Sequence, residues 1–215
     1  MKIKMGLFLI MMSSCTSTQN DIVIFSEPQP RGVRACKDIP KELWGAYVNA
    51  EKNEFLFVTA HLIWKKTNFI NQIHIRDIDS NFVLRGDSLI DTVARESIRV
   101  VRRGDSIRYS WSNIDTIFQV STNDIIKKWR GRYFMNKSYI YGSWSVRQMI
   151  VHHGMLSISN INDSVDFQRL KAIAENPMDS MLPIKINPSN QEFNQLVKDH
   201  IFSDEQQYYK IKKLP

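Results

Sequence analysis

The chain is short of several things at once. It has 2 cysteines and 8 glycines in 215 residues. It has no stretch of about 20 apolar residues, the length needed to span a bilayer as a helix. With two cysteines, a disulfide framework is excluded, and no paired-cysteine zinc spacing is present. No glycine-rich loop of the kind that cradles phosphates appears. The five histidines show no ligand spacing. His152 and His153 are adjacent, so in a strand they would face opposite sides. His61 and His74 could meet across strands, but isolated histidines are ordinarily surface or hydrogen-bonded core residues. No metal and no cofactor is therefore expected.

What is present is a globular composition. Hydrophobic residues make up 43% and charged residues 24%, and 11 Phe, 7 Tyr and 5 Trp suffice for a core. The formal net charge is +7. Lys2 and Lys4 account for two of these charges and lie in a segment expected to be removed, leaving +5 (27 basic minus 22 acidic residues). That excess fits a solvated surface or contact with an anionic envelope surface, and no nucleic-acid partner is expected.

Lys2 and Lys4, the apolar run 6–12 and Ser13-Ser14 have the order of an export signal. Cys15 follows directly, and the segment resembles a bacterial lipoprotein signal. That resemblance implies cleavage before Cys15, lipidation of its thiol, and a membrane partner reached through the lipid. Met12 and Ser14 stand where the pattern prefers Leu and Gly or Ala. Residues 16–21 are polar, as a tether should be. Cys36 is then left single and reads as a buried apolar thiol. Residues 27–32, Glu-Pro-Gln-Pro-Arg-Gly, cannot be helix or central strand and read as an extended arm. The expected organisation is a signal at 1–14, lipidated cysteine, tether and arm at 15–38, and a β-rich domain at 39–215. Repeat units at 39–124 and 125–215 are suggested by aligning Leu43-Trp44-Gly45-Ala46-Tyr47 with Trp129-Arg130-Gly131-Arg132-Tyr133.

The Glu-Pro-Gln-Pro-x-Gly stretch, Ile39-Pro40 and Leu43-x-Gly45-x-Tyr47 resemble the opening of lipoproteins from Bacteroidota. The resemblance covers about the first quarter of the chain and implies an envelope location without a known activity. The Gly-x-aromatic opening is also similar to the Gly-x-Trp start of lipocalins.

The fold class is mainly β: antiparallel meanders forming a barrel or sandwich, lipocalin-like as one option, with two helices late in the chain. Period-2 alternation predicts strands around 55–59, 62–67, 72–76, 107–111 and 118–120. A long aromatic strand is expected over 139–149 with a bend at Gly142. Ile22–Phe25 reads as an edge strand and 207–212 as a closing one. Helical spacing predicts helices near 167–175 and 191–202, the second opened by a capping box at Ser189 and Glu192.

Gly86-Asp87-Ser88-Leu89 spells the signature of GDSL-type ester hydrolases, which would make Ser88 a nucleophile. That family supplies its base from a late Asp-x-x-His, and none exists here. Gly104-Asp105-Ser106-Ile107 repeats the text, and two hairpin turns account for both copies. Lys128, Arg130 and Arg132 would share one strand face, opposite Trp129, Gly131 and Tyr133, as a patch for an anionic glycan or lipid headgroup; a solvated face over a core face is the plainer account. Three functions follow: a lipid-anchored, non-enzymatic envelope binding module at the outer membrane, whose partner is an envelope protein, glycan or lipid; a lipocalin-like carrier; and an esterase using Ser88.

Overall fold

The computed structural model describes residues 23–139, 142–161, 170, 173–174 and 184–212. It divides into two compact units. Their boundaries, at 65/66 and 113/114, fall inside two long strands and not at the 124/125 junction of the suggested repeats.

In the larger unit (23–65 and 114–212) the chain is an antiparallel sheet that does not close, so the arrangement is sandwich-like and not a lipocalin-type barrel. Its strands are β2 (Ala35–Cys36), β3 (Gly45–Asn49), β4 (Glu54–Val58), the start of β5 (Leu62–His74) and the end of β9 (Ser106–Gln119). They continue with β10 (Asp124–Trp129), β11 (Arg132–Ser138), β12 (Trp144–His152), β13 (Met155–Asn160) and β15 (Asp204–Lys210). The order is β2-β10-β11-β12-β13-β15-β3-β4-β5-β9. One face of nearly every strand contributes to a single core that includes Tyr47, Leu56, Ile63, Phe118, Ile126, Met149, Leu156 and Tyr208. The closing strand expected at 207–212 is β15, which starts three residues earlier and lies between β13 and β3.

The other face of β10–β12 is covered too. β1 (Val23–Phe25) lies between β12 and β14 (Ile184–Ile186), antiparallel to the first and parallel to the second. All three of its residues are buried, so it is not the exposed edge strand expected. Helix α1 (Asn190–Lys198) adds Phe193, Leu196 and Val197 to this second core. The capping box is formed: Glu192 N donates to Ser189 Oγ, and Ser189 N donates to the Glu192 carboxylate. The helix ends at Lys198, four residues short of the expected end, because Ile201 and Phe202 fold back into the core. Phe193 packs edge-on against Phe134, centroids 5.1 Å apart. Two-sided burial explains the unbroken buried run 133–136: Tyr133 and Met135 face the first core and Phe134 the second. The helix expected at 167–175 lies outside the described residues except for Leu170, which is helical and buried, and Ile173 and Ala174.

The smaller unit (66–113) is a meander of the rest of β5, a 3-10 turn at Ile75–Asp77, β6 (Phe82–Arg85), β7 (Ser88–Asp91), β8 (Ser97–Arg103) and the start of β9. The alternation over 72–76 therefore ends at His74, where a turn replaces the expected strand. Both Gly-Asp-Ser copies are hairpin turns, closed by the pairs Arg85↔Ser88 and Arg103↔Ser106. Gly86 and Gly104 have φ of +59° and +57°, while the aspartates stay at negative φ. This is the type II′ pattern, which asks for glycine first. The core is small: Leu89, Val100 and Ile107, flanked by Ile73, Ile75, Phe82, Leu84 and Tyr109.

Two further hairpins were not legible. Arg130-Gly131 (φ +49° and +76°) joins β10 to β11, and His153-Gly154 (φ +47° and +80°) joins β12 to β13. Both have positive φ at two successive residues, as a type I′ turn requires, but Arg and His replace the usual Asn or Asp. The second turn brings the His152 and His153 rings to 3.8 Å, so they do not face opposite sides. Gly142, at φ +69°, lies in the loop before β12 and not within a strand.

Candidate functional site

Cys15, the expected lipidation site, lies outside the described residues, as does the tether. The expected basic patch does not sit on one face. In the β10–β11 hairpin Lys128 pairs with Tyr133 and Trp129 with Arg132, and paired residues share a face. Lys128 and Arg132 therefore point to opposite sides, with Arg130 in the turn. The one-face expectation treated 128–133 as a continuous strand, and the turn breaks that alternation.

Each of the three cations has its own partner. Lys128 Nζ donates to Glu42 Oε1 at 2.6 Å and lies 5.3 Å from the Tyr133 ring centre. The Tyr133 hydroxyl donates to the same oxygen at 2.6 Å. Arg130 donates to Asn194 Oδ1 at 2.7 Å and stacks on Trp129, and Arg132 donates to Gln148 Oε1 at 3.0 Å. The Lys128 ammonium, with the Tyr133 hydroxyl, holds the Glu42 carboxyl down at about 2. Burial, reinforced by Glu42, pushes the Tyr133 hydroxyl up. Glu42 belongs to a 3-10 turn, Lys41–Leu43, whose Leu43 carbonyl also accepts from Tyr47 OH at 2.8 Å. The tyrosines of the two Gly-x-Tyr units thus end on one turn, although their glycines differ in role. Gly45 opens β3 at φ +148°, where an added Cβ would meet Lys210 Cε at 2.8 Å, while Gly131 forms a hairpin turn.

Lys127, which the sequence reading passed over, is the most committed cation. It is 6% exposed, and its Nζ donates to the carbonyls of Pro28 and Pro30, both at 2.8 Å. Burial pushes its ammonium down and Glu27 partly opposes this. On the neighbouring strand, buried Asn136 accepts from Gln29 N at 2.6 Å and donates to Gln29 O at 2.9 Å. The proline arm is therefore a fastened strap. Proline lacks an N–H, so its carbonyls are what remains to bind.

A second polar knot lies inside the first core. Glu54 accepts from Lys65 Nζ at 2.9 Å and from the Tyr208 hydroxyl at 3.0 Å. Burial, then Glu54, raises the Tyr208 hydroxyl. Paired and hydrogen-bonded, these groups are satisfied where they stand.

The smaller unit carries the opposite arrangement. Opposite its core, the face of β6–β9 presents Arg85, Arg99, Arg103 and Arg108, with Ser88 and Ser106 between them and exposed Val83 and Val101. No strand position on this face carries an acid. Asp87, in the turn, approaches Arg99 at 3.5 Å between exposed side chains. The arginines are spread over three strands and about 24 residues of sequence, so no charge run announced them. The readable signal was the four-residue spacing of Arg99 and Arg103, which puts both on one face of an extended segment such as β8. Ser88 opens β7, in register with Arg85 and Arg99, and Ser106 opens β9.

His61 lies 3.4 Å from Asp38, and His74 accepts from Arg76 N. Among the described residues, no three His, Cys, Asp or Glu side chains gather as a metal site. Cys36 is a free, half-buried thiol on β2.

No protein-family model matches this sequence, and no curated protein or solved structure shows significant similarity to it.

Proposed function

We propose that the chain is a lipid-anchored bacterial envelope protein, held at the outer membrane through Cys15, that works as a non-enzymatic binding module. The reading rests on the order of charges, apolar run, small residues, cysteine and polar tether. The observation that carries it is the strap. Seven residues separate Cys15 from Val23, and from there the chain is buried in β1 and then fastened by Lys127 and Asn136. A lipid at Cys15 would hold the β scaffold on a leash of at most ~29 Å. A footing of that kind suits a protein that presents a surface. Ser88 and Ser106 each follow a type II′ turn, a structural position that needs no catalytic role.

The test is fractionation with metabolic palmitate labelling. Cys15→Ala is expected to lose the label and leave an uncleaved or soluble product, while Cys36→Ala keeps both label and membrane attachment. Label retained on the Cys15→Ala protein would place the anchor elsewhere and sink the reading.

A further inference from the structure

We propose that the arginine face of β6–β9 is a docking surface for an anionic polysaccharide, one bearing sulfate, phosphate or uronate groups. The argument is charge complementarity in a set geometry. Arg85, Ser88 and Arg99 form one row across three strands, so the two arginines stand roughly 10 Å apart at the ordinary strand spacing. Arg108 is the cross-strand partner of Val101, between Arg99 and Arg103 along β8. Arg99 and Arg103, four residues apart on one strand, are separated by about 13 Å. With Arg108 one strand further on, the four guanidinium forks cover a patch of roughly 14 by 13 Å, matched to several charged groups along a chain and not to one small anion.

The chemistry selects among polyanions. Each fork offers planar, paired donors suited to oxyanions, and the serine hydroxyls between them suit a polyhydroxylated ligand. Arg85, Arg103 and Arg108 make no side-chain hydrogen bond or ion pair among the described residues. Arg99 has only the exposed 3.5 Å contact with Asp87, which an incoming anion can replace at little cost. Within 83–108, Val83 and Val101 are the exposed large apolar side chains of this face, and no aromatic occupies a strand position on it. Interfacial membrane binding draws on Trp, Phe or Leu. Single-stranded nucleic acid binding draws on stacked aromatics, and protein interfaces on aromatic anchors. The face has none of these.

The inference goes beyond the anchoring proposal and does not depend on it, because it concerns residues 83–108 whether or not Cys15 carries lipid. The test is calorimetric titration of the full-length chain in neutral detergent with dextran sulfate and polygalacturonate. Uncharged dextran, phosphatidylglycerol vesicles and polyuridylate serve as comparisons. Binding to at least one charged polysaccharide, weakening as salt rises, is expected. Single Arg85→Ser, Arg99→Ser, Arg103→Ser and Arg108→Ser changes should each weaken it roughly fivefold, the scale of one surface charge pair. Arg102→Ser removes the same charge from the opposite face, where Arg102 pairs with Ile107, and should leave binding within twofold or so of the parent. Near-ultraviolet dichroism checks that each variant is folded. No binding to either charged polysaccharide, stronger binding to vesicles or polyuridylate, or an equal loss from Arg102→Ser would each overturn the proposal.

Discussion

The hairpin at 127–132 and the meander at 83–108 are both basic, both antiparallel and both turned by glycine, yet their cations do opposite work. In the hairpin, Lys127, Lys128, Arg130 and Arg132 each reach a different group: the Pro28 and Pro30 carbonyls, Glu42, Asn194 and Gln148. On the arginine face of the meander three of the four arginines, Arg85, Arg103 and Arg108, reach none among the described residues. Sequence clustering is therefore a poor guide to available charge. A dense basic run is placed by its turn among neighbours that neutralise it. A dispersed set is assembled by strand register onto a face with no acids.

The difference should be largest in stability, and at Lys127. Lys127→Met keeps most of the side-chain volume but leaves two carbonyls facing buried space without a donor. Losing the partner of a buried acceptor costs about 1–3 kcal/mol per group. We expect a loss of about 2–4 kcal/mol in urea unfolding, together with faster proteolysis within 27–34. A variant as stable as the parent, with the arm still protected, would show that the strap is held by packing of β1 alone.

A smaller effect belongs to Glu42, whose pairing with Lys128 and Tyr133 is more than a third open to solvent. Its folded-state value of about 2 lies below the ordinary 4.5. Its contribution is therefore fully present above pH 4.5 and is lost as pH falls towards 2. After solvent screening, Glu42→Gln should cost about 1 kcal/mol or less near neutrality. The parent and the variant should converge only below about pH 2. A gap that stayed constant across that range would show that the amide loses shape or packing and not charge.

How far the sequence carried the fold follows from local rules. The Gly-Asp turns, the capping box and the alternating strands β4, β5 and β9 were legible because each obeys one propensity with one buried face. The two-sided burial of β10–β12 was not, since alternation disappears when both faces are covered. The Arg130-Gly131 turn was hidden because arginine seldom occupies a positive-φ position, and missing it misplaced the expected patch. The strap was legible as an arm but not as an attachment, because its partners Lys127 and Asn136 lie about 100 residues away. The arginine face required register, which the alternation of a single strand does not supply.

The smallest stability effect should come from the meander, and it is the one that separates the two regions most cleanly. Arg85, Arg99, Arg103 and Arg108 rest on no partner that folding has to satisfy, apart from the weak Asp87 contact. Replacing exposed residues away from caps and buried networks changes stability by roughly half a kcal/mol or less each. Removing four neighbouring like charges also relieves mutual repulsion. The fourfold Arg→Ser variant should therefore unfold at nearly the urea concentration of the parent, and with an unchanged slope. A clear drop in that midpoint would mean that the arginine stems shield the small core of Leu89, Val100 and Ile107. Part of any binding loss would then be structural. A midpoint that rises, with polysaccharide binding abolished, would identify a surface whose charge is kept for recognition at the expense of stability.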